Sequence, residues 1–212
     1  MKLLFRQGLL VLVLMLAVLP VFASGATELA DLLNQMKTMR ASFTQTIFDN
    51  QGKMGPKSSG RMALDRPGKF RWEVTQPMPQ IIIANGSRLW IYDPDLQQVT
   101  IRSLKTEAGE APALLLSHQN TRLEDDYTIT EQTNQKLLRW FVLQPKKKDN
   151  MFASVKMGFD DKRQLKEMVL EDQIGHATRV QFAKIEMNVS LPTSLFTFKA
   201  PSGTDIIDET KK

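Results

Sequence analysis

The feature that most constrains the fold is a long succession of short segments in which apolar and polar residues alternate with a period of two. In one of them, Phe70, Trp72 and Val74 alternate with charged residues, which is typical of a half-buried strand. Turn signals such as Arg66-Pro67-Gly68 and Asn85-Gly86 separate the segments. The pattern predicts about eleven strands: 41–49, 58–65, 69–75, 79–84, 87–92, 96–102, 127–132, 136–143, 152–159, 164–171 and 176–184.

Two segments instead have helical features. In 27–39 the large apolar residues recur at spacings of three and four, which predicts an amphipathic helix. Segment 110–117 places Pro112 in the first turn of a second helix, where the missing N–H costs little. The tail after Pro201 is too polar for us to assign. No repeat or linker divides the chain, so we expect a single domain that is mainly β, either a large curved sheet or a barrel.

Some strands are apolar on both faces, notably 81–83 and 137–143. A sheet of this kind needs something against each face, and helices can cover only part of one. The remaining apolar surface either packs as ordinary core or encloses an apolar cavity.

The first residues have the features of an export signal. Lys2 and Arg6 precede a nearly unbroken apolar run over 9–19, and Val21-Phe22-Ala23 forms a cleavage site. We expect residues 1–23 to be a cleaved signal peptide and residues 24–212 to form the domain. A membrane anchor is the alternative, but the run is short for a span of about 20 residues. Cleavage removes two cations and no acid, which lowers the formal net charge from +5 to +3.

The residues that usually carry chemistry are few. The chain has no cysteine, which excludes disulfides, thiol catalysis and the lipid-bearing cysteine of bacterial lipoproteins. Neither His118 nor His176 has a metal-ligand spacing with another candidate ligand, and the mild positive charge is not clustered as in nucleic-acid-binding proteins. We therefore expect a binding protein with no metal, no cofactor and no nucleic-acid partner, although an exported hydrolase with a dispersed site stays open.

Several motifs together resemble the outer-membrane lipoprotein carrier family, LolA. They are Ala41-Ser42-Phe43-Thr44-Gln45, the stretch from Leu64 to Trp72, Thr75-Gln76-Pro77, the hairpin from Ile81 to Pro94, the 112–116 helix, and Phe196-Thr197-Phe198-Lys199-Ala200-Pro201. Each motif alone is weak, but the combination is specific and covers essentially the whole chain beyond residue 23.

The resemblance implies an unclosed antiparallel barrel with a lid of two to three helices over an apolar interior. It also implies a relay in the periplasm. A soluble monomer takes lipoproteins by their acyl chains from an inner-membrane ATP-driven release complex (LolCDE) and passes them to an outer-membrane acceptor (LolB). That acceptor is itself lipidated, so the missing cysteine favours the soluble carrier.

The resemblance also implies roles for particular residues. Arg66 matches an arginine that ties the lid to the barrel, the alternative being an exposed turn arginine. Phe70 matches an aromatic residue at the mouth of the cavity, the alternative being a plain inward strand residue. We further expect cavity-wall or lid positions, as opposed to ordinary core positions, for Leu33, Phe43, Trp72, Ile82, Trp90 and Leu114.

Two other functions fit the same fold. A carrier of glycolipids or other amphiphiles needs the same apolar cavity, so the sequence does not separate it from a lipoprotein carrier. A regulatory module that senses lipoproteins is expected to carry a second domain, and the sequence predicts only one.

Overall fold

The structure, a computed structural model, describes residues 25–104, 116–117, 123–132, 137–147 and 150–211. Its two α-helices are α1 (Gly25–Gln35) and α2 (Leu123–Asp126). Its strands are β1 (Thr38–Phe48), β2 (Met54–Asp65), β3 (Lys69–Gln76), β4 (Gln80–Asn85), β5 (Arg88–Asp93), β6 (Gln98–Ser103), β7 (Tyr127–Gln132), β8 (Arg139–Pro145), β9 (Phe152–Phe159), β10 (Leu165–Asp172), β11 (Ala177–Met187) and β12 (Asp205–Asp208).

All these strands form one sheet in the order β12-β6-β5-β4-β3-β2-β1-β11-β10-β9-β8-β7. Every pairing is antiparallel except that of β12 with β6, which is parallel. The order ends in β12 and β7, which do not pair with each other, so the barrel is unclosed. The expected fold class, a mainly β unclosed barrel with few helices, is therefore confirmed, with twelve described strands where about eleven were expected.

All eleven strands that the alternation predicts are present. The C-terminal tail adds a twelfth, β12, that the sequence did not reveal. Its apolar residues Ile206 and Ile207 lie between aspartates and stay largely exposed, so no buried face marks the segment. Backbone pairing with β6 and an ion pair between Arg102 and Glu209 at 3.0 Å hold it in place.

The helix prediction for 27–39 needs a correction at both ends. The helix begins at Gly25 and ends at Gln35, and Met39 belongs to β1, where it lies opposite Leu64 and Met187. Strand pairing on both sides overrides the helical spacing, although Met36 and Met39 are still buried. Of the predicted 110–117 helix, only Leu116 and Ser117 lie within the described residues.

The main core lies between α1 and one face of the sheet, which we call the inner face and define by the side chains of Phe43, Trp72 and Ile82. Leu29, Leu32 and Leu33 of α1 are buried against it, as expected for a helix with one apolar stripe. The opposite, outer face of β3 and β4 carries the 3₁₀ turn Thr193–Phe196. This arrangement buries the apolar stripe of the helix and the inner face of the sheet in one cluster.

Candidate functional site

The inner face is built from aromatic and aliphatic side chains that meet across neighbouring strands. Met62, Trp72 and Ile82 lie side by side on β2, β3 and β4. The rings of Phe43 and Trp72 stack with centroids 3.6 Å apart, and Phe70 follows at 6.1 Å from Trp72. Stacked rings bury a large apolar area in a defined geometry, so they form a wide continuous apolar surface in this part of the sheet.

A single glycine makes this surface possible. Gly60 lies opposite Phe43 on β2, and a Cβ atom placed on it would lie 1.9 Å from the backbone oxygen of Glu73 and 2.8 Å from Cζ of Phe43. No side chain fits at such distances. Gly60 therefore lets the Phe43 ring lie flat against the strand and reach Trp72.

Helix α1 is the lid of this surface, and we call it the lid helix. Leu33, on its underside, is 1 % exposed, and Phe43, Phe70, Trp72 and Ile82 are exposed by no more than 3 %. The described part of the inner face is thus closed to water.

Arg66 connects the lid helix to the sheet. Its Nη1 donates a hydrogen bond to the backbone oxygen of Leu33, near the C-terminal end of the lid helix. Its own backbone N–H donates to the oxygen of Lys37 at 2.9 Å. The side chain is half-buried, and this burial lowers the pKa of the guanidinium. A helix leaves its last carbonyl oxygens without intrahelical partners, so a guanidinium with several donors is well suited to bind there.

Asn188 holds the same end of the lid helix from the other side. Its Nδ2 donates to the backbone oxygen of Gln35 at 3.0 Å, and its Oδ1 accepts from the N–H of Lys37 at 2.9 Å. Its φ of 57° lies in the left-handed region, which asparagine tolerates better than most residues. Nothing in the local sequence around Asn188 predicts its contact with residues about 150 positions earlier.

The N-terminal half of the lid helix is held by charges. Oε1 of Glu28 accepts hydrogen bonds from Nη1 of Arg139 at 3.1 Å and from Nη1 of Arg163 at 3.2 Å. Arg139 also donates to Glu131 from Nε at 3.1 Å and from Nη2 at 2.9 Å. The hydrogen bond to Glu131, with the neighbouring carboxylates, raises the pKa of Arg139 despite some burial. These four residues form what we call the ion cluster, and no sequence motif indicates it.

One sequence placement is corrected by the structure. Trp90 lies opposite Ile83 and Ile101, whereas Ile82, the neighbour of Ile83, faces inward. Trp90 is therefore on the outer face and is not part of the inner wall. The prediction was wrong because Leu89 to Tyr92 is apolar throughout, so alternation does not indicate which of these side chains point to the inner face. Leu114, expected on the lid underside, lies outside the described residues.

The outer face has a different character. Near Trp90, the Tyr92 ring contacts Phe198 with centroids 5.3 Å apart, and Phe196 is buried. Further along the sheet is a groove of about 650 Å³ whose lining includes Arg40, Arg61, Arg71, Lys184, Glu73 and Glu186. The inner face, where large apolar side chains are buried together in one cluster, is the candidate site.

Other kinds of site find no support within the described ranges. No three His, Asp or Glu side chains there are grouped to hold a metal ion. Nor does any helix in those ranges have the length and apolar character required to cross a membrane.

An unclosed barrel whose apolar inner face is buried together with one helix defines the class of protein. Comparison with known proteins then identifies the family. The family model for the outer membrane lipoprotein carrier protein LolA matches residues 34–199. The chain belongs to this family.

Known relatives agree with this assignment. The chain is 39 % identical over 195 residues to an outer-membrane lipoprotein carrier protein of Dechloromonas aromatica, covering 91 % of this chain and 93 % of the relative. A protein of the same name from Chromobacterium violaceum is 41 % identical over 188 residues, with 89 % of each chain covered. A crystal structure of an uncharacterized conserved protein from Thermus thermophilus covers 88 % of this chain and all of its own, with a TM-score of 0.58 at 11 % identity. That likeness concerns the fold alone.

Proposed function

We propose that this chain is a soluble periplasmic carrier that binds the acyl chains of outer-membrane lipoproteins on its inner face. The observation that carries the proposal is the lid helix, which is buried in one apolar cluster with the inner face and is attached through the Arg66 guanidinium to the oxygen of Leu33. Membership of the lipoprotein carrier family supports the nature of the cargo. The activity is binding and hand-over, and it requires no bond to be made or broken.

The physical need for such a carrier is simple. Each methylene moved out of water is worth about 0.8 kcal/mol, so a multiply acylated anchor does not cross an aqueous gap unprotected. The cargo must also be released at the end of the journey. A carrier whose empty state buries its own apolar face offsets part of the gain from binding, because closing the lid helix competes with the bound acyl chains.

In this proposal Arg66 is the latch of the closed state. When acyl chains enter between the lid helix and the inner face, the hydrogen bond to Leu33 breaks, and it re-forms when the cargo leaves. A hydrogen bond from a charged group contributes roughly 1.5–3 kcal/mol. That is enough to change the balance between closed and open states by about tenfold or more.

Around the carrier we place the relay that the family implies. An inner-membrane ATP-driven release complex (LolCDE) supplies the lipoprotein, and an outer-membrane acceptor (LolB) receives it. Residues 1–23 direct export and are removed after Ala23. Mass spectrometry of the protein isolated from the periplasm gives the mature N-terminus, and a species that retains Lys2 and Arg6 would contradict this part of the proposal.

The test is a release and hand-over assay. Inner-membrane vesicles carrying labelled lipoproteins are incubated with ATP and the mature protein, and the soluble fraction is then mixed with acceptor-bearing vesicles. We expect the wild-type protein to form a soluble one-to-one complex and to pass the label on. Arg66→Leu should still take up label but hand it over about tenfold more slowly, because its open state is no longer disfavoured.

The matched control is Arg40→Leu. Arg40 lies on the outer face of β1 and pairs with Glu186 at 2.7 Å, so its loss should leave both steps unchanged. Label that stays in the donor vesicles with the wild-type protein would overturn the choice of cargo. Hand-over by Arg66→Leu at the wild-type rate would overturn the latch.

A further inference from the structure

The ion cluster forms a second attachment of the lid helix, separate from Arg66. Glu28 lies in the first turn of the lid helix, Arg139 begins β8, and Arg163 lies in the turn between β9 and β10. The carboxylate of Glu28 accepts one hydrogen bond from each arginine. Two distant parts of the chain thus meet at a single side chain of the lid helix.

Arg163 spans most of the length of the lid helix. Its Nη1 donates to Glu28, and its Nε donates to Oε1 of Gln35 at 3.1 Å. Glu28 and Gln35 are seven residues apart, which is about 10.5 Å along a helix and close to two full turns. The two side chains therefore project from the same side of the helix, and one guanidinium bridges them.

The backbone at Arg163 shows that this side chain is held in a demanding conformation. Its φ is 61°, in the left-handed region that few residues other than glycine and asparagine adopt without cost. Asp160 fixes the turn, since its Oδ1 accepts hydrogen bonds from the N–H groups of Lys162 and Gln164 at 3.0 and 2.8 Å. The turn thus fixes the position of Arg163, and from there its guanidinium contacts the lid helix.

From this geometry we propose that Glu28, Arg139 and Arg163 are positioning residues that hold the lid helix closed independently of Arg66, and that they make lid opening depend on ionic strength. The inference rests on the proposed function, because it concerns the step that admits cargo. It divides the fastening of the lid helix into two parts, a backbone latch at its C-terminal end and an ionic latch that begins in its first turn.

Exposure and charge explain the dependence on ionic strength. The side chains of Arg139 and Arg163 are both 42 % exposed and that of Glu28 is 21 % exposed, so mobile ions reach the cluster and screen it. The N-terminus of a helix carries partial positive charge. Without the Glu28 carboxylate, Arg139 would keep its bonds to Glu131, but both ionic bonds to the lid helix would be lost, and the closed position would lose its attraction there.

The first test measures lid opening without any lipoprotein. The probe is Nile red, an uncharged apolar dye, and the salt concentration is varied from about 0.01 M to about 1 M, which shortens the screening length from about 30 to about 3 Å. We expect dye affinity of the wild-type protein to rise about fivefold over this range. Glu28→Gln should have the higher affinity already at low salt and should respond little to added salt.

Hydrogen exchange locates the effect. At low salt, the amides of residues 29–35 should exchange about fivefold faster in Glu28→Gln than in the wild-type protein, while those of β1 and β2 stay unchanged. Arg163→Asn places at this position a residue that tolerates the left-handed backbone. It therefore provides the same test of the ionic latch if Glu28→Gln folds poorly. The matched control is Glu186→Gln, which breaks an exposed ion pair of the outer face and should behave as wild type.

The proposal is overturned if both variants show the wild-type salt response and the wild-type exchange of residues 29–35. Its failure is distinguishable from that of the proposed function. A protein that takes no lipoprotein from vesicles but shows the salt-dependent dye affinity keeps the ionic latch and loses the cargo. If both variants carry lipoprotein normally and their amides exchange as in the wild-type protein, the function stands and the ionic latch is refuted.

Discussion

At the scale of single residues, the packing of the inner face depends on how closely backbone and side chains approach each other. Gly60 occupies a place where the backbone oxygen of Glu73 and the Phe43 ring leave no room for a side chain. The sequence shows only a glycine in a strand, a position that usually weakens the strand. The structure shows that the Phe43–Trp72 stack depends on it.

We therefore expect Gly60→Ala to lower the free energy of unfolding by about 3 kcal/mol or more, since overfilling a packed site forces the backbone to shift. Urea unfolding measures the loss. Gly55→Ala is the control, because a Cβ atom there would lie 3.3 Å from the oxygen of Ile47 and requires only a small adjustment. Equal losses in the two variants would contradict the packing argument.

Glu73 gives a pH dependence at the same scale. Burial tends to raise the pKa of its carboxyl, but hydrogen bonds and charges from Arg61 and Arg71 outweigh that effect and bring the pKa below the ordinary value of 4.5. A carboxyl whose pKa is lower in the folded state stabilises the fold above its unfolded pKa and loses that contribution as the pH falls through the folded value.

We expect the wild-type protein to lose stability as the pH falls below about 4.5 and Glu73→Gln to show a shallower decline, with the two stabilities converging at low pH. Urea unfolding over a pH series tests this. A decline of equal slope in both proteins would mean that other carboxyls account for the acid sensitivity.

At the scale of elements, the C-terminal segment shows how pairing compensates for weak local signals. β12 has four residues with little buried area, yet it extends the sheet beyond β6. The N–H of Asp205 donates to the oxygen of Gln97 at 2.8 Å, and Glu209 pairs with Arg102. The segment covers the edge of β6, which would otherwise offer unpaired backbone groups.

Truncation after Thr204 should lower the free energy of unfolding by about 2 kcal/mol, at roughly 0.5–1.5 kcal/mol for each backbone hydrogen bond lost. The exposed edge of β6 should also promote association, which light scattering detects. The matched control is Ile206→Thr, which keeps the pairing and removes apolar surface that is already half exposed. A truncated protein as stable and monodisperse as the full chain would show that β12 contributes nothing.

At the scale of the whole molecule, one continuous sheet joins all the described strands. Its centre is β1, which pairs with β2 and β11 over most of its length. Its edges are β12 and β7, which have a neighbouring strand on one side only within the described residues. Such an arrangement predicts a gradient of local stability from the centre to the edges.

Hydrogen exchange of the free protein should follow this gradient. We expect the amides of β1 and β2 to exchange slowest, near the rate set by global unfolding, and those of β7 and β12 to exchange at least about tenfold faster. The lid helix should exchange at an intermediate rate, because the proposed opening does not require the sheet to unfold. Uniform protection across all strands would contradict this picture.

From the sequence alone, eleven of the twelve described strands follow, since alternation and turn residues are local properties that depend on side-chain geometry. For the same reason the sequence identified the inner-face residues Phe43, Trp72 and Ile82 as apolar strand positions, and family motifs singled out Arg66. Local patterns do not predict which face of the sheet a side chain lies on, and for this reason Trp90 was predicted on the wrong face.

Which face is inner, where the polar tail adds a strand and which distant side chains hold the lid helix follow from the folded chain. Glu28 meets Arg139 and Arg163, and Asn188 meets Gln35, across sequence separations of more than 100 residues. Charged and amide side chains carry no periodic signal of their partners. Their pairing follows from the curvature and register of the whole sheet, which bring distant turns to the two ends of the lid helix.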